Sequence, residues 1–522
     1  MLKKIINNLN NSQALIVKIV IFVALALFIN LLCFNFKVIV APYPHEYREG
    51  AIVLTTSQLL NHVNPYLLSE QPQHTDVYGV LYNLVVYPLA TFFGPTLTVH
   101  RAISALFIFL SCAWLIFILR KEGIPGWLSF IGGVIYYAEI TSLFSVVARP
   151  DSLGVFLFLS AIFLPWLGKF KWRYLVLSTI FFILAFYTKL YFTISLPIVA
   201  LYIFLFKDKI KAFLFFTFSL LLLLSSAIIV NLYFPIYLTN TFYYYFGVGG
   251  SLLGGLWHVA RQFAFFSYKN FGLVFVFIIL VIELIRENKN GLVNYGINYL
   301  KILFRSLKKL KTDEIKFDYI VFVFILTSAA FILKFGQNTG GFVDYMYHLI
   351  TPFMIIIVFR FLAKKISNKK FAIFGLLLIF GMIFTFVNHH RAIDYSSQWK
   401  DINNKLSGYK NIFNEPATTA VLLSQNKFVY DSGHSNGYLG NGMQKSPLYP
   451  AINERLREYN SDVEGQVINK KFDLIVMDNY SYNMLSRDLL SQNYYLKSTM
   501  PAPMMLGNFI LELWAPKPTI TK

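Results

Sequence analysis

A short segment after the first apolar run carries the acids best suited to proton transfer. Glu46 and Glu49 lie in Pro44-His45-Glu46-Tyr47-Arg48-Glu49-Gly50, ahead of an amphipathic stretch over residues 51–60 that predicts a helix. Their spacing of three places both carboxylates on one face if the helix begins there. Two close carboxylates repel, so one would hold a proton more tightly and act as a base near neutral pH. The simpler alternative is that acids at a helix start stabilise its dipole.

Two further polar groups lie between later apolar runs. Arg149 and Asp151 share the short connection 148–152, and Lys189 follows Tyr187-Thr188. Each has an ordinary explanation: Asp151 caps the next helix, Arg149 anchors at lipid headgroups, and Lys189 snorkels. The functional alternative is a phosphate partner, because lysine and arginine bind phosphate through charge-assisted hydrogen bonds.

The elements that must position these groups are membrane helices. Of 522 residues, 56% are hydrophobic and 14% are charged, whereas a soluble globular chain carries about 25% charged residues. Apolar runs close to the length of a bilayer crossing recur from residue 16 to residue 387, and none follows. The predicted fold class is therefore an all-α polytopic membrane protein with about eleven transmembrane helices. We expect a transmembrane domain over 1–390 and a small extracytoplasmic α/β domain over 391–522.

The charge pattern orients this domain. The net charge of +20 comes largely from Lys and Arg in alternate short loops, which is typical of membrane topology rather than of a nucleic-acid surface. This alternation predicts a cytoplasmic amino terminus, an outer loop over about 37–100 and an outer tail. Residues 78–93 are apolar, but counting them as a span would invert every later loop, so we expect a helix in the outer interface. The predicted spans are 15–36, 98–119, 127–147, 152–168, 173–188, 190–206, 212–233, 271–286, 318–334, 346–363 and 371–387.

The tail mixes two kinds of local pattern. Short extended candidates lie at 427–430, 472–477 and 508–514, and a helical pattern covers 451–459. This mixture favours a small α/β domain.

The order of short motifs along residues 15–360 resembles the GT-C superfamily of membrane glycosyltransferases. The similarity is closest to the bacterial branch related to protein mannosyltransferases and aminoarabinose transferases. In many members the first-loop motif is Asp-Glu, whereas here the acids are Glu46 and Glu49. The motifs are Glu46-Tyr47-Arg48-Glu49-Gly50, Asn64-Pro65-Tyr66, Tyr78-Gly79-Val80-Leu81-Tyr82, Phe93-Gly94-Pro95, His100-Arg101-Ala102-Ile103-Ser104, Ala148-Arg149-Pro150-Asp151, Tyr187-Thr188-Lys189 and Tyr345-Met346-Tyr347-His348-Leu349.

The resemblance implies roles for individual residues. Glu46 or Glu49 would deprotonate the acceptor, and Asp151 would orient it or hold a metal. The resemblance leaves open whether a divalent metal, Mg²⁺ or Mn²⁺, takes part or none does; Glu49 and Asp151 would be its ligands. The groups that would hold the donor phosphate are Lys189, Arg149 and Arg101, and the further site candidates are Asp76, Tyr78 and His348.

The implied function is transfer of a sugar from a polyprenyl-phosphate carrier to a glycan, lipid or protein acceptor. The enzyme would be a multi-pass protein of a bacterial plasma membrane and would act at the extracytoplasmic face, with membrane lipids and the lipid-linked donor as partners and no nucleic acid. One alternative is a lipid or solute transporter or flippase, for which Glu139 inside the third span could be quoted. The other is a polymer ligase that uses a polyprenyl-diphosphate donor.

Overall fold

A computed structural model describes most of both predicted domains. The described residues are 11–144, 146–243, 252–287, 340–365, 394–431, 443–478, 485–505 and 507–518, with isolated helical residues between 320 and 328 and between 375 and 384. Most of the predicted span 318–334 and about half of the span 371–387 lie outside them.

Apolar helices make up the described part of residues 11–390, as predicted. Thr96 caps α4 by accepting a hydrogen bond from the Val99 amide at 3.3 Å, and Asp208 caps α9 through the Lys211 amide at 3.0 Å. The helices are α1 Asn11–Val40, α2 Glu49–Leu60, α3 Leu81–Phe93, α4 Leu97–Lys121, α5 Gly126–Phe144, α6 Asp151–Leu167, α7 Trp172–Phe186, α8 Ser195–Phe206, α9 Lys209–Tyr233, α10 Leu252–Lys269, α11 Phe271–Glu287 and α12 Gly340–Lys365.

Helix length separates the candidate spans into two groups. Within the described residues, α1, α4 and α9 are long and apolar enough to cross a bilayer unbroken, and the bent pair α10 and α11 could form a fourth crossing. Shorter apolar helices occupy the predicted spans between residues 151 and 206. The chain is a membrane protein of the predicted helical class, while the number of crossings stays a prediction.

The predicted interfacial segment forms α3. Its 13 residues extend roughly 20 Å at 1.5 Å per residue, which is short of a hydrocarbon core of about 30 Å. Phe92 and Phe93 are strongly exposed at its end, and Gly94 terminates the helix with a φ of 79°. These features fit a helix that lies along the outer interface.

The tail forms the predicted α/β domain. Its helices are α13 Ser396–Ser407, α14 Thr419–Ser424, α15 Tyr449–Ile468 and α16 Arg487–Asn493. Its four strands are β1 Ile412–Phe413, β2 Leu474–Asp478, β3 Tyr494–Met504 and β4 Gly507–Pro516, in the order β1-β2-β4-β3. β1 pairs parallel with β2, and the other pairs are antiparallel.

Two of the three extended candidates in the tail are confirmed as strands. The expected strand at 427–430 is wrong: the Tyr430 amide donates to the Asn414 side chain at 2.7 Å instead of to a neighbouring strand. The long strand β3 was not expected because it contains Pro501 and Pro503, which weaken a strand pattern. As the last strand in the order, β3 is at an edge and tolerates both prolines.

The tail packs directly on the first outer loop. The ring of Tyr43 stacks on Trp399 with centroids 6.4 Å apart, and Arg455 Nη2 donates to the Ser69 carbonyl at 3.4 Å. The tail and the loop 37–100 are therefore on the same side of the molecule. This agrees with the predicted odd number of crossings, although the identity of that side stays a prediction.

Candidate functional site

Glu49 and Arg101 form a fully buried ion pair. Arg101 Nε and Nη2 each donate to one oxygen of the Glu49 carboxylate at 2.8 Å. The remaining guanidinium donors reach the carbonyls of Val38 at 3.0 Å, Ala41 at 2.7 Å and Tyr43 at 2.8 Å. All five N–H donors of the guanidinium are thus used, which leaves none for a phosphate. The expected phosphate role of Arg101 is therefore corrected to a structural one.

The same pairing decides the state of Glu49. Its oxygens also accept the amides of His45 at 2.6 Å and Ala148 at 2.7 Å. Burial favours the neutral acid, but the charge and hydrogen bonds of Arg101 and the Ala148 amide together lower the pKa of Glu49 to about 2. A carboxylate held this way is a poor proton acceptor at neutral pH. The expectation that Glu49 could be the base is corrected: Glu49 joins the first loop to the connection at residue 148.

The predicted pair of like charges does not form. The helix begins at Glu49, so Glu46 lies in the turn before it. Glu46 binds Arg48 through its side chain and accepts the Arg48 amide at 3.0 Å. Each glutamate therefore has its own arginine, and mutual repulsion is not what sets their chemistry. Arg48 is a site residue that the sequence reasoning missed, although it lies inside the quoted motif.

A second ionic group lies at the start of α6. Asp151 contacts Lys189 Nζ at 3.1 Å and Arg149 Nε at 2.8 Å. Lys189 lies in the turn between α7 and the 3₁₀ helix Leu190–Ile194, and burial lowers its pKa to about 7 against the opposing charge of Asp151. The structure thus brings together three residues that the sequence separates by up to 40 positions.

Tyr78 joins this group to the first loop. Its hydroxyl accepts hydrogen bonds from Arg48 Nη1 at 3.3 Å and Arg149 Nη2 at 3.4 Å. Lys189 Nζ lies 4.6 Å from the centroid of the Tyr78 ring, a cation–π distance. We call Glu46, Arg48, Tyr78, Arg149, Asp151 and Lys189 the Tyr78 cluster.

Gly79 allows the close approach that forms the cluster. The Gly79 amide donates to the Thr188 carbonyl at 3.1 Å, and the Leu81 amide donates to the Tyr187 carbonyl at 3.0 Å. A Cβ at Gly79 would lie 1.9 Å from the Tyr187 oxygen, so only glycine fits here. This contact holds Tyr78 beside Lys189.

Of the two other predicted candidates, the structure describes the side chain of Asp76 only, and it supports the cluster from behind. Asp76 is fully buried and accepts the Tyr78 amide at 2.9 Å, the Thr55 hydroxyl at 3.1 Å and the Asn83 amide group at 3.4 Å. Burial raises its pKa to about 7, because these hydrogen bonds offset only part of the desolvation. Asp76 therefore supports the backbone of Tyr78 from within the protein. His348 lies in α12 at a position whose side chain is outside the described residues.

The acids proposed for a metal do not fit one. Both Glu49 oxygens face the Arg101 guanidinium and backbone amides, and both Asp151 oxygens face cations. In the part of the chain that the structure describes, no three His, Cys, Asp or Glu side chains gather as metal ligands would. We derive no step through a metal.

Comparison with known proteins gives a fold but no close relative. No family model matches the chain, and no curated protein does. Among solved structures, the chain is similar to ArnT from Cupriavidus metallidurans bound to undecaprenyl phosphate, with a TM-score of 0.54 and 10% sequence identity over 94% of this chain and 97% of that one. At this identity the likeness concerns the fold alone. It confirms the predicted all-α polytopic fold class.

Proposed function

We propose that the chain transfers a sugar from a polyprenyl-phosphate carrier to an acceptor at the extracytoplasmic membrane face. The fold supports this class of reaction, since the similar structure of ArnT holds undecaprenyl phosphate. The alternation of basic loops along the sequence supports the extracytoplasmic face as the place of transfer. Lipid-linked sugars can be presented there, whereas nucleotide sugars are cytoplasmic.

The observation that carries the proposal is the convergence of three cations on Tyr78. Arg48 and Arg149 donate to its hydroxyl and Lys189 lies over its ring, beside the acids Glu46 and Asp151. Lysine and arginine bind phosphate through charge-assisted hydrogen bonds, so cations gathered in this way suit the phosphate diester of the donor.

Lys189 and Arg149 are the groups that would hold the donor phosphate. Asp151 orients both side chains from one carboxylate and is then a positioning residue. Phosphate becomes more negative as its bond to the sugar breaks, so fixed cations beside it stabilise the transition state. This stabilisation removes the need for a general acid.

Glu46 is the group that would activate the acceptor. It takes the proton from the acceptor hydroxyl or amine, whose oxygen or nitrogen then bonds to the anomeric carbon. The bond from that carbon to the phosphate oxygen breaks, and its electron pair leaves with the polyprenyl phosphate. Arg48 holds the Glu46 carboxylate toward Tyr78, which favours Glu46 over the fully engaged Glu49.

The experiment compares glutamine variants of two glutamates. Purified protein in nanodiscs is supplied with polyprenyl-phosphate hexoses and pentoses and with cell-envelope extract as acceptor. Glu46→Gln should lower transfer by about 10²–10⁴-fold while donor binding survives. The matched control Glu70→Gln changes a partly exposed acid of the same loop and should keep parental turnover. Parental turnover in Glu46→Gln would remove Glu46 as the base.

A further inference from the structure

One face of the first outer loop is covered by the C-terminal domain. Tyr43 and Tyr47 lie in the turns before α2, and Gly50 and Leu54 lie in the first half of that helix. Tyr43 and Leu54 are buried in the same apolar cluster as Trp399 and Phe509 of the C-terminal domain, and Tyr47 packs against that cluster. The core of the C-terminal domain therefore continues into the loop that carries Glu46.

Tyr43 is fixed at three points. Its ring is parallel to that of Trp399, with an interplanar angle of 1°. Its hydroxyl donates to Asp394 Oδ1 at 3.4 Å and accepts the Tyr395 amide at 3.2 Å. Its carbonyl accepts Arg101 Nη2 at 2.8 Å. Tyr43 thus links the C-terminal domain to the buried ion pair of the membrane domain.

Tyr47 and Gly50 extend the contact along the loop. The Tyr47 ring lies 5.7 Å from Phe509 and 4.9 Å from the Arg48 guanidinium. At Gly50 the two domains meet so closely that an added Cβ would lie 2.7 Å from Thr419 Cβ and 2.8 Å from the Ala420 amide nitrogen. Such a contact leaves no space for a side chain at position 50.

The opposite side of the same segment faces the membrane domain. Arg48 reaches Tyr78, and Glu49 reaches Arg101 and the Ala148 amide. The segment 43–50 is therefore held between two bodies. Lys189 and Asp151 pair with each other, on the turn after α7 and on α6 of the membrane domain.

We propose that the C-terminal domain is a positioning element of the transfer site: by clamping residues 43–50 it holds Glu46 and Arg48 against Tyr78. This inference rests on the proposed function. The domain then governs the proton-transfer half of the site, whereas the cations that bind the donor phosphate are set by the membrane domain. Loosening the clamp should lower turnover and leave donor affinity nearly unchanged.

Gly50→Ala tests the clamp with a change that does not weaken its own helix, because alanine is favoured over glycine within a helix. The matched control is Gly465→Ala in α15, where an added Cβ meets nothing within 4 Å. Phe509→Leu loosens the clamp from the other side and covers the case in which Thr419 shifts to admit the alanine. All variants are full-length and in nanodiscs.

Hydrogen exchange, sugar transfer and lipid affinity are measured for each variant and for the parent. Hydrogen exchange should quicken at residues 43–53 in Gly50→Ala and Phe509→Leu, with α6 unchanged. Transfer should fall by up to about a hundredfold, the cost of a misplacement near 1 Å. Affinity for undecaprenyl phosphate should stay within about twofold, as for a substitution remote from the binding groups. Gly465→Ala should match the parent in all three.

The outcomes separate the inference from the function on which it rests. Unchanged exchange at 43–53 in both loosened variants would overturn the clamp. Quickened exchange with parental turnover would overturn the positioning role. If the parent itself transfers no sugar, the proposed function falls, and the exchange result alone then decides whether the clamp stands.

Discussion

Two ionic groups at the first loop differ in burial and in the number of cations that they gather. In the Glu49–Arg101 pair, one acid meets one base, both side chains are fully buried, and every guanidinium donor has a partner. In the Tyr78 cluster, three cations converge on one tyrosine, and the side chains of Arg48 and Arg149 are 30% and 11% exposed. Full burial is expected of a structural group, whereas partly exposed cations gathered at one place are expected of a binding site for an anion.

Burial explains why this distinction matters. A buried charge without a partner costs several kcal/mol, so the pair must be satisfied within the protein. Partial exposure lets water screen the cations of the Tyr78 cluster until a ligand displaces it. The difference in burial, and not closeness in sequence, therefore separates the two roles.

The largest expected effect comes from breaking the balanced pair. Arg101→Met leaves Glu49 charged and buried, and should cost about 3–5 kcal/mol of stability. Thermal unfolding in detergent measures the loss. The double variant Glu49→Gln/Arg101→Met should recover part of it, since no charge is then stranded. A single variant as stable as the parent would contradict the structural role.

Removing a cation from the Tyr78 cluster should weaken binding of the donor lipid instead of lowering stability. Lys189→Met deletes one of the two groups assigned to the donor phosphate and should weaken undecaprenyl phosphate binding by roughly ten- to a hundredfold, since a hydrogen bond to a charged group contributes about 1.5–3 kcal/mol. Lys37→Met is the control, because Lys37 is an exposed lysine in the last turn of α1. Equal losses in both variants would show that Lys189 is only an anchor.

The pH dependence sharpens the assignment to Lys189. Burial lowers the pKa of Lys189 to about 7, so the free protein loses this charge as pH rises above neutrality. A phosphate monoester, whose second pKa is about 6, stays doubly charged over the same range. Affinity for undecaprenyl phosphate should therefore fall between pH 7 and 9, and Lys189→Arg should flatten the profile because arginine stays protonated. A flat parental profile would exclude Lys189 from phosphate binding.

The smallest effect on donor affinity is expected from substitution of Tyr78, which the three cations of the cluster contact. Tyr78→Phe keeps the ring beside Lys189 but removes the hydroxyl that accepts from Arg48 and Arg149. The loss of long hydrogen bonds of this kind should lower donor affinity by only about two- to tenfold, or 0.5–1.5 kcal/mol. Tyr78→Leu also removes the ring and should cost more. The same affinity measurement with both variants ranks the two contributions, and equal losses would leave the ring without a role.

The sequence could predict the helical class because a long apolar run indicates a membrane helix without any knowledge of tertiary contacts. It also identified Lys189, Arg149 and Asp151, whose charges interrupt apolar segments. It could not separate Glu46 from Glu49, since the partner of Glu49 is 52 residues away and its other contacts are backbone groups. Arg101 was misassigned for the same reason. Three of its partners are backbone carbonyls, which every residue type has.

The strand β3 shows a similar limit in the C-terminal domain. Its prolines argue against a strand until its edge position is known, and that position depends on the order of all four strands. The covering of residues 43–54 by this domain is likewise a property of tertiary packing. The sequence alone does not indicate that Trp399 and Phe509 pack on this segment.

The central claim is that the Tyr78 cluster binds the phosphate of a lipid-linked donor. The most direct measurement compares undecaprenyl phosphate with uncharged undecaprenol, using the parent and the double variant Lys189→Met/Arg149→Met in nanodiscs. The parent should prefer the phosphate by at least about a hundredfold, the effect of two charge-assisted hydrogen bonds, and the double variant should lose that preference while binding undecaprenol as the parent does. Equal affinity of the parent for both lipids would contradict the account.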